Sequence, residues 1–240
     1  IKKVETKQIV EELHPFAQSI EKGHKKEAFL NYEAIQFDTK ISFGGNTILD
    51  ATISVATNSV YAKIELQNGE KIYVNEDKTF VSPGLKENKA ARFNAYTWTY
   101  FFLLPYKLSD NGVILNDYTA KHKNENFITQ KMTFKANTGD APEDWYVLYA
   151  NKESNVLEEA AYIVTLGKTQ KEAEKDPHAI KYEEFTTINT IPFATKWTFW
   201  GWTENDGLTQ QIGKATIRNI QFIENFKDSI LSIPDHFIER

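Results

Sequence analysis

The sequence predicts one α+β domain, mainly β, that comprises residues 1–240 and is built on an antiparallel sheet. Apolar and polar residues alternate with a period of two, which places successive side chains on opposite faces of a strand. Short turn signals such as Asn68-Gly69 separate these segments, as in a meander of hairpins. Aromatic residues, which favour pleated strands, make up 13% of the chain. No linker and no repeat of fixed period divides it.

The N-terminal part is predicted to form a helix at about residues 5–22. Its apolar residues share one helix face, because they follow one another at spacings of 4, 3 and 4: Ile9, Leu13, Phe16 and Ile20. Pro15 is expected to kink or split this helix near His14. Gly23 is expected to end the helix, and a second short helical turn is predicted for residues 24–30.

Alternation then predicts a meander of antiparallel strands with one solvated face at residues 35–43, 49–55, 60–66, 71–75 and 79–82. A second helix is predicted at about residues 86–104. Phe93 and Phe101 lie at helical spacing there, while Trp98 and Phe102 add apolar bulk around the circumference. Such a helix must be buried or lie on an apolar surface, and Pro105 ends it. Further strands are predicted at 118–121, 127–136, 145–151, 160–166, 182–188, 195–203 and 214–222, followed by a short packing segment at 225–240.

Composition and motifs exclude several classes of protein. The net charge is −5, and lysines and arginines are scattered among acids, so nucleic acid is not a predicted partner. The absence of cysteine excludes disulfides and a cysteine nucleophile. No apolar run approaches the ~20 residues of a membrane-spanning helix. No phosphate-binding glycine loop, serine elbow or zinc motif is present, so no cofactor, metal or catalytic residue is predicted.

One acidic group leaves an enzymatic alternative open. Its members are Asp140, Glu143, Asp144, Glu158 and Glu159. Paired carboxylates can act as acid and base in a hydrolase, or can hold a hard cation. A solvated, charge-rich turn is the favoured interpretation.

Aromatic residues favour a binding function. They occupy both faces of the strands at 145–151 and 195–203, so each face requires an apolar cover or a ligand. A curved sheet with the second helix across its concave face would supply both. The aromatic residues either line a cavity or form a thick core. The predicted ligand-lining residues are Phe37, Phe93, Trp98, Phe101, Trp145, Tyr149, Trp197 and Phe199.

Several segments resemble a Bacteroidota-type family of uncharacterised bacterial envelope lipoproteins, which is similar in fold pattern to the LolA/LolB-type lipoprotein carriers. They are residues 91–93, 98–108, 142–149, 161–165, 177–180 and 192–197, and the resemblance spans about residues 9–222. It implies a single curved antiparallel sheet, or incomplete β-barrel, with helices covering its concave face. No residue matches the functional loop residues of the carriers.

The resemblance implies a non-catalytic binding or carrier protein for a hydrophobic small molecule, lipid or acyl chain. It also implies a periplasmic or outer-membrane-associated location. Membrane attachment would use a lipidated N-terminal cysteine that is absent from this chain. Because the chain begins at Ile1 without an apolar leader, it is interpreted as the mature form of an exported protein. The alternative is a structural or interaction lipoprotein with a filled core that binds an envelope protein.

Overall fold

A computed structural model describes residues 13–122 and 125–240, without the side chains of 229–231. Thirteen strands form one sheet in the order β13-β5-β4-β3-β2-β1-β12-β11-β10-β9-β8-β7-β6, and all neighbours are antiparallel. The strands are β1 (Ala34–Phe43), β2 (Asn46–Ala56), β3 (Tyr61–Leu66), β4 (Lys71–Asn75), β5 (Lys78–Val81), β6 (Val113–Asp117), β7 (Phe127–Phe134), β8 (Tyr146–Asn151), β9 (Leu157–Tyr162), β10 (His178–Ile188), β11 (Ile191–Thr203), β12 (Gly207–Ile223) and β13 (Ile238–Glu239). Because β13 and β6 are edges, the sheet is not closed.

Two hairpin series meet at one central pair of strands. The predicted meander forms β1 to β5, and the Asn68-Gly69 turn joins β3 to β4 with Gly69 at a φ of +85°. The second series runs from β6 to β12. Strand β12 then pairs with β1, from Ala34 opposite Ile223 to Phe43 opposite Gly213. This pairing makes one continuous sheet from the two halves of the chain.

Five α-helices occur in the described residues: α1 (Pro15–Gly23), α2 (Lys26–Leu30), α3 (Ala91–Leu103), α4 (Gln170–Ala173) and α5 (Phe226–Leu231). Pro15 begins α1, because a first-turn residue needs no N–H partner. The Nδ1 atom of His14 accepts a hydrogen bond from Phe16 N–H at 3.2 Å. The helix predicted for residues 5–12 lies outside the described residues. None of the described helices is long and apolar enough to cross a membrane.

The strand predicted at 118–121 is replaced by β6 at Val113–Asp117. After β6 the chain leaves the sheet, and Tyr118 and Ala120 pack on the outer face beside β8. The C-terminal segment forms α5 and the short strand β13, which pairs with β5. Its residue Phe226 covers Ala34, Ala56 and Tyr73 on the outer face.

The sheet curls around α3. This helix contacts β3, β4 and β5 at one end of the strand order, and its Tyr100 ring lies 5.7 Å from Tyr146 on β8. Nine strand spacings separate β5 from β8, which is about 43 Å in a flat sheet. A 13-residue helix is only about 20 Å long. The face that surrounds α3 is therefore concave, and we call this concave side the hollow. The predicted fold class, a mainly β open sheet with helices on its concave face, is confirmed.

Candidate functional site

Helix α3 occupies the hollow because its inward side is almost entirely apolar. Trp98, Phe101, Phe102 and Leu103 are all buried in the main core. The helix follows a turn at Pro83–Leu85 and begins at Ala91, later than predicted. A single 3-10 turn at Leu104–Tyr106 follows it. The element is thus one short apolar helix that the sheet holds by side-chain packing.

Ring-to-ring contacts join α3 to the wall of the hollow. The Phe102 ring stacks on Phe37 of β1 with ring centroids 4.1 Å apart, and on Phe193 of β11 at 5.7 Å. The Trp98 ring meets Phe199 of β11 edge-on at 5.9 Å. Phe101 lies 4.9 Å from Tyr162 of β9. Aromatic pairs of this kind add about 0.5–1.5 kcal/mol each beyond area burial.

Few polar contacts join α3 to the rest of the chain. The Tyr182 hydroxyl donates to the Phe101 carbonyl oxygen at 2.8 Å, inside the core. At the N-terminal end, Arg92 forms a bidentate pair with Asp140 at 2.8 and 2.7 Å. Arg92 also donates to the Asp77 carbonyl oxygen at 3.1 Å. Because Asp77 lies between β4 and β5, and Asp140 lies between β7 and β8, Arg92 bridges the two ends of the curled sheet.

The structure brings together six of the eight residues predicted to line a ligand site. Phe37, Trp98, Phe101, Trp197 and Phe199 belong to the main core around α3. Phe93 is half-buried at the edge of that core, and its ring meets Trp98 at 6.2 Å.

Trp145 and Tyr149 lie on the opposite face of the sheet. They pack there with Trp202, whose indole donates to the Tyr149 hydroxyl at 3.2 Å, while the Trp145 and Trp202 rings lie 6.0 Å apart. Ala173 of α4 and the 118–120 segment cover this outer cluster. The aromatic residues of β8 therefore do occupy both faces, as the alternation predicts, and only Tyr146 faces the hollow.

The side chains of α3 leave little enclosed space in the hollow. A small pocket of about 20 Å³ lies between His24, Tyr106, Phe193 and Trp197. A volume of this size holds about one water molecule. The side chains that line this pocket are therefore closely packed around the C-terminal end of α3.

An open cleft remains beside the N-terminal half of α3. Its volume is about 290 Å³, and it lies between β2, the β3–β4 hairpin and the segment that leads into α3. Leu49 and Ile72 form its apolar floor and belong to the main core, and Leu66 packs against them. Asparagine side chains contribute to its rim: Asn68, Asn88 and Asn94. Sequence reasoning missed this cleft, although the Asn68-Gly69 turn marked one side of it.

Among the buried titratable side chains, His24 and Glu159 lie outside α3. His24 is 2% exposed, and its Nε2 accepts a hydrogen bond from Leu157 N–H at 2.9 Å. Burial lowers the pKa of His24 to about 3, so the ring is neutral at pH 7. Glu159 is 6% exposed beside the outer cluster. Burial raises its pKa to about 7, and the nearby Lys181 charge opposes that shift.

Three of the five acidic residues considered for hydrolysis have separate partners. Asp140 pairs with Arg92, and Asp144 accepts hydrogen bonds from Thr165 N–H at 2.9 Å and its hydroxyl at 2.7 Å. Glu158 accepts from the Asn151 side chain at 3.0 Å. Within the described part of the chain, no three histidine or acidic side chains lie close enough together to hold a metal ion. These contacts favour structural roles for the carboxylates.

Solved structures with the same fold come from several bacteria. A LolA superfamily protein from Nitrosomonas europaea aligns with a TM-score of 0.59 at 11% identity, over 90% of this chain and 97% of its own. A DUF1329 family protein from Desulfovibrio piger aligns with a TM-score of 0.55 at 12% identity, over 90% and 96%. A putative outer membrane lipoprotein-sorting protein domain from Vibrio parahaemolyticus gives 0.53 at 10%, over 90% and 99%. At these identities the likeness establishes a LolA-like fold.

Sequence comparison adds a family but no named relative. No curated protein matches the chain significantly. The model of a family of unknown function, DUF6503, matches residues 46–208, which contain β2 to β11 and all of α3. The resemblance to a LolA-like family without a known function is thereby confirmed. Because the match covers more than half of its length, the chain belongs to the DUF6503 family.

Proposed function

We propose that this protein is a non-catalytic binding or carrier protein for a hydrophobic ligand, a lipid or an acyl chain. In the ligand-free form α3 fills the hollow, and the ligand occupies the hollow after displacing α3. The observation that carries this proposal is the attachment of α3, which is held in an unclosed sheet chiefly by apolar ring contacts. An apolar ligand would replace contacts of that kind without leaving a buried charge unpaired.

Withdrawing α3 from the hollow costs about as much free energy as burying an acyl chain there would gain. Trp98, Phe101, Phe102 and Leu103 each gain about 1.5–3 kcal/mol from burial, so withdrawing all four costs roughly 6–12 kcal/mol. An acyl chain gains ~0.8 kcal/mol per buried CH₂ group, which is roughly 8–11 kcal/mol for about ten to fourteen groups. Because the two amounts are close, the exchange is reversible, as a carrier requires.

The structural relatives that share the fold also support an envelope location. Structural relatives are described as a LolA superfamily protein and as a putative outer membrane lipoprotein-sorting protein domain. A periplasmic or outer-membrane-associated place for this chain follows by analogy. Attachment through a lipidated N-terminus belongs to the same analogy.

Tryptophan quenching by a brominated acyl chain tests this proposal, because the chain has tryptophans on both faces of the sheet. The triple variant Trp145→Phe/Trp200→Phe/Trp202→Phe keeps only the hollow tryptophans, Trp98 and Trp197, and we expect the brominated chain to quench it strongly. Trp98→Phe/Trp197→Phe keeps the outer tryptophans, and we expect quenching to be mostly lost. Circular dichroism establishes that both variants are folded.

Native mass spectrometry after gentle purification provides an independent measurement. Bound lipid in the spectrum, together with quenching confined to the hollow, supports the carrier function. Quenching of the outer tryptophans alone contradicts a site in the hollow. Bare protein in the spectrum, together with no quenching in the wild type, contradicts the carrier function altogether.

The alternative function is an interaction lipoprotein that binds an envelope protein. One observation favours it: the interior pocket holds only about 20 Å³. A permanently filled core would leave the outer surfaces as the binding regions. Under this alternative α3 never leaves the hollow, so the acyl-chain experiments above separate the two functions.

A further inference from the structure

The open cleft beside α3 has a lining that selects one class of ligand. Its floor of Leu49, Leu66 and Ile72 borders the main core, so withdrawal of α3 would join the cleft to the hollow. Its volume of about 290 Å³ lies near the lower end of the range for small-molecule sites. The cleft therefore lies where the polar end of a bound lipid would meet solvent.

Two asparagines on the rim, Asn68 and Asn88, lie outside α3 and present hydrogen-bond donors. The Oδ1 atom of Asn68 accepts from Glu70 N–H at 3.1 Å, and that of Asn88 accepts from Ala90 N–H at 2.9 Å. In each case the oxygen is committed to a neighbour, which fixes the amide and leaves its NH₂ group as the donor.

The charge of the cleft excludes an anionic head group. None of its lining residues is a lysine, arginine or histidine, and Asp50 contributes a carboxylate. The only cation paired with Asp50 among the described side chains is Lys40, at 3.3 Å and 50% exposed. A phosphate or free carboxylate would thus lack a charged partner in the cleft. It would also meet the Asp50 charge in a partly desolvated place.

We infer that the cleft binds the polar end of the ligand and that this end is uncharged. Donors on the rim, an apolar floor and the absence of cations fit an apolar chain joined to a neutral head through an ester or amide carbonyl. Free fatty acids and phospholipids fit less well. This inference rests on the proposed function, since it assigns the ligand class of the same hollow.

Competition between two ligands of equal chain length tests the inference. Monopalmitoylglycerol is neutral and carries an ester, whereas palmitate is anionic. In native mass spectrometry of wild-type protein with equimolar ligands, we expect the ester to occupy the protein at least about tenfold more than palmitate. Equal or greater occupancy by palmitate overturns the inference and leaves the proposed function intact. Binding of neither ligand overturns both.

Asparagine-to-aspartate variants locate the preference in the cleft. Asn68→Asp/Asn88→Asp keeps both Oδ1 acceptors, so the turns are preserved, but it replaces two donors by charged acceptors. We expect its affinity for monopalmitoylglycerol to fall at least about tenfold. The matched control is Asn58→Asp, because Asn58 Oδ1 accepts from Val60 N–H at 3.1 Å in the β2–β3 turn, which does not line the cleft. Unchanged affinity in the double variant, or an equal loss in the control, contradicts the assignment.

Discussion

Truncating Phe102 separates the stability of the fold from the closure of the hollow. The ring is 7% exposed and stacks on Phe37 at 4.1 Å and on Phe193 at 5.7 Å. Phe102→Ala removes both stacks and leaves a cavity, so we expect the free energy of unfolding to fall by about 3–5 kcal/mol. If α3 must leave the hollow for a ligand to enter, the same change removes about 1.5–3 kcal/mol from the cost of displacement. Affinity for an acyl chain should then rise roughly 10- to 150-fold.

Urea denaturation measures the first effect and titration with a brominated acyl chain measures the second. Trp202→Ala is the matched control, because Trp202 is 5% exposed and packs against Trp145 in the outer cluster. We expect it to destabilise the protein by a similar amount and to leave acyl-chain affinity unchanged. The reasoning is refuted if Phe102→Ala destabilises the protein without increasing affinity, or if the outer variant increases affinity equally.

Three further changes test the electrostatics of the structure. His24 has a pKa of about 3 in the folded protein and 6.5 as its usual value, so the unfolded chain binds the proton first and stability is lost as pH falls from 6.5. Between pH 7.5 and pH 5 the protonation of His24 in the unfolded chain lowers the free energy of unfolding by about 2 kcal/mol. Urea denaturation at the two pH values measures this loss, and His24→Gln should remove it. Glu159 has the opposite pH dependence and lowers stability as pH rises, because a folded pKa of about 7 makes its ionised form unfavourable in the folded protein. Glu159→Gln should stabilise the protein by about 3 kcal/mol at pH 8 and by almost nothing near pH 4.5; a pH-independent effect in denaturation would contradict its burial as an anion. Arg92→Gln breaks a half-exposed pair, so it should cost less than about 1 kcal/mol of stability and should speed acyl-chain association in stopped-flow quenching. The exposed pair of Lys196 and Glu184 offers a control, and Lys196→Gln should leave association unchanged.

Local sequence patterns predicted most of the architecture because they report on single elements. Alternation located β1 to β5, since alternating apolar residues of these strands belong to the main core, although Ala34, Ala56 and Tyr73 are also buried on the outer face. Helical spacing located α3, although its start at Ala91 depends on the turn that precedes it. Within the described residues Pro15 begins α1, a position that sequence alone does not distinguish from a break inside a longer helix.

The division of aromatic residues between the two faces was beyond sequence reasoning. In β8, Tyr146 faces the hollow and Tyr149 the outer cluster, and both side chains are buried. A strand that is apolar on both faces has no pattern that identifies the inner one. Segments distant in sequence decide this question: α3 covers one face, while Ala173 and Tyr118 cover the other. The cleft was missed for the same reason, since Asn68 and Asn94 are distant in sequence and line one cleft only in the folded sheet.

The openness of the sheet makes α3 necessary as a cover for the hollow. A closed barrel pairs every strand and needs no edge protection, whereas this sheet leaves β6 and β13 as edges. An open sheet with an empty hollow would expose Phe37, Trp197 and Phe199 to water, at about 1.5–3 kcal/mol for each. Helix α3 removes that cost without adding a strand, and the bridge from Arg92 to Asp77 and Asp140 joins the two ends of the sheet across it. Under the proposed function, an apolar ligand of similar area replaces this helix without breaking the sheet.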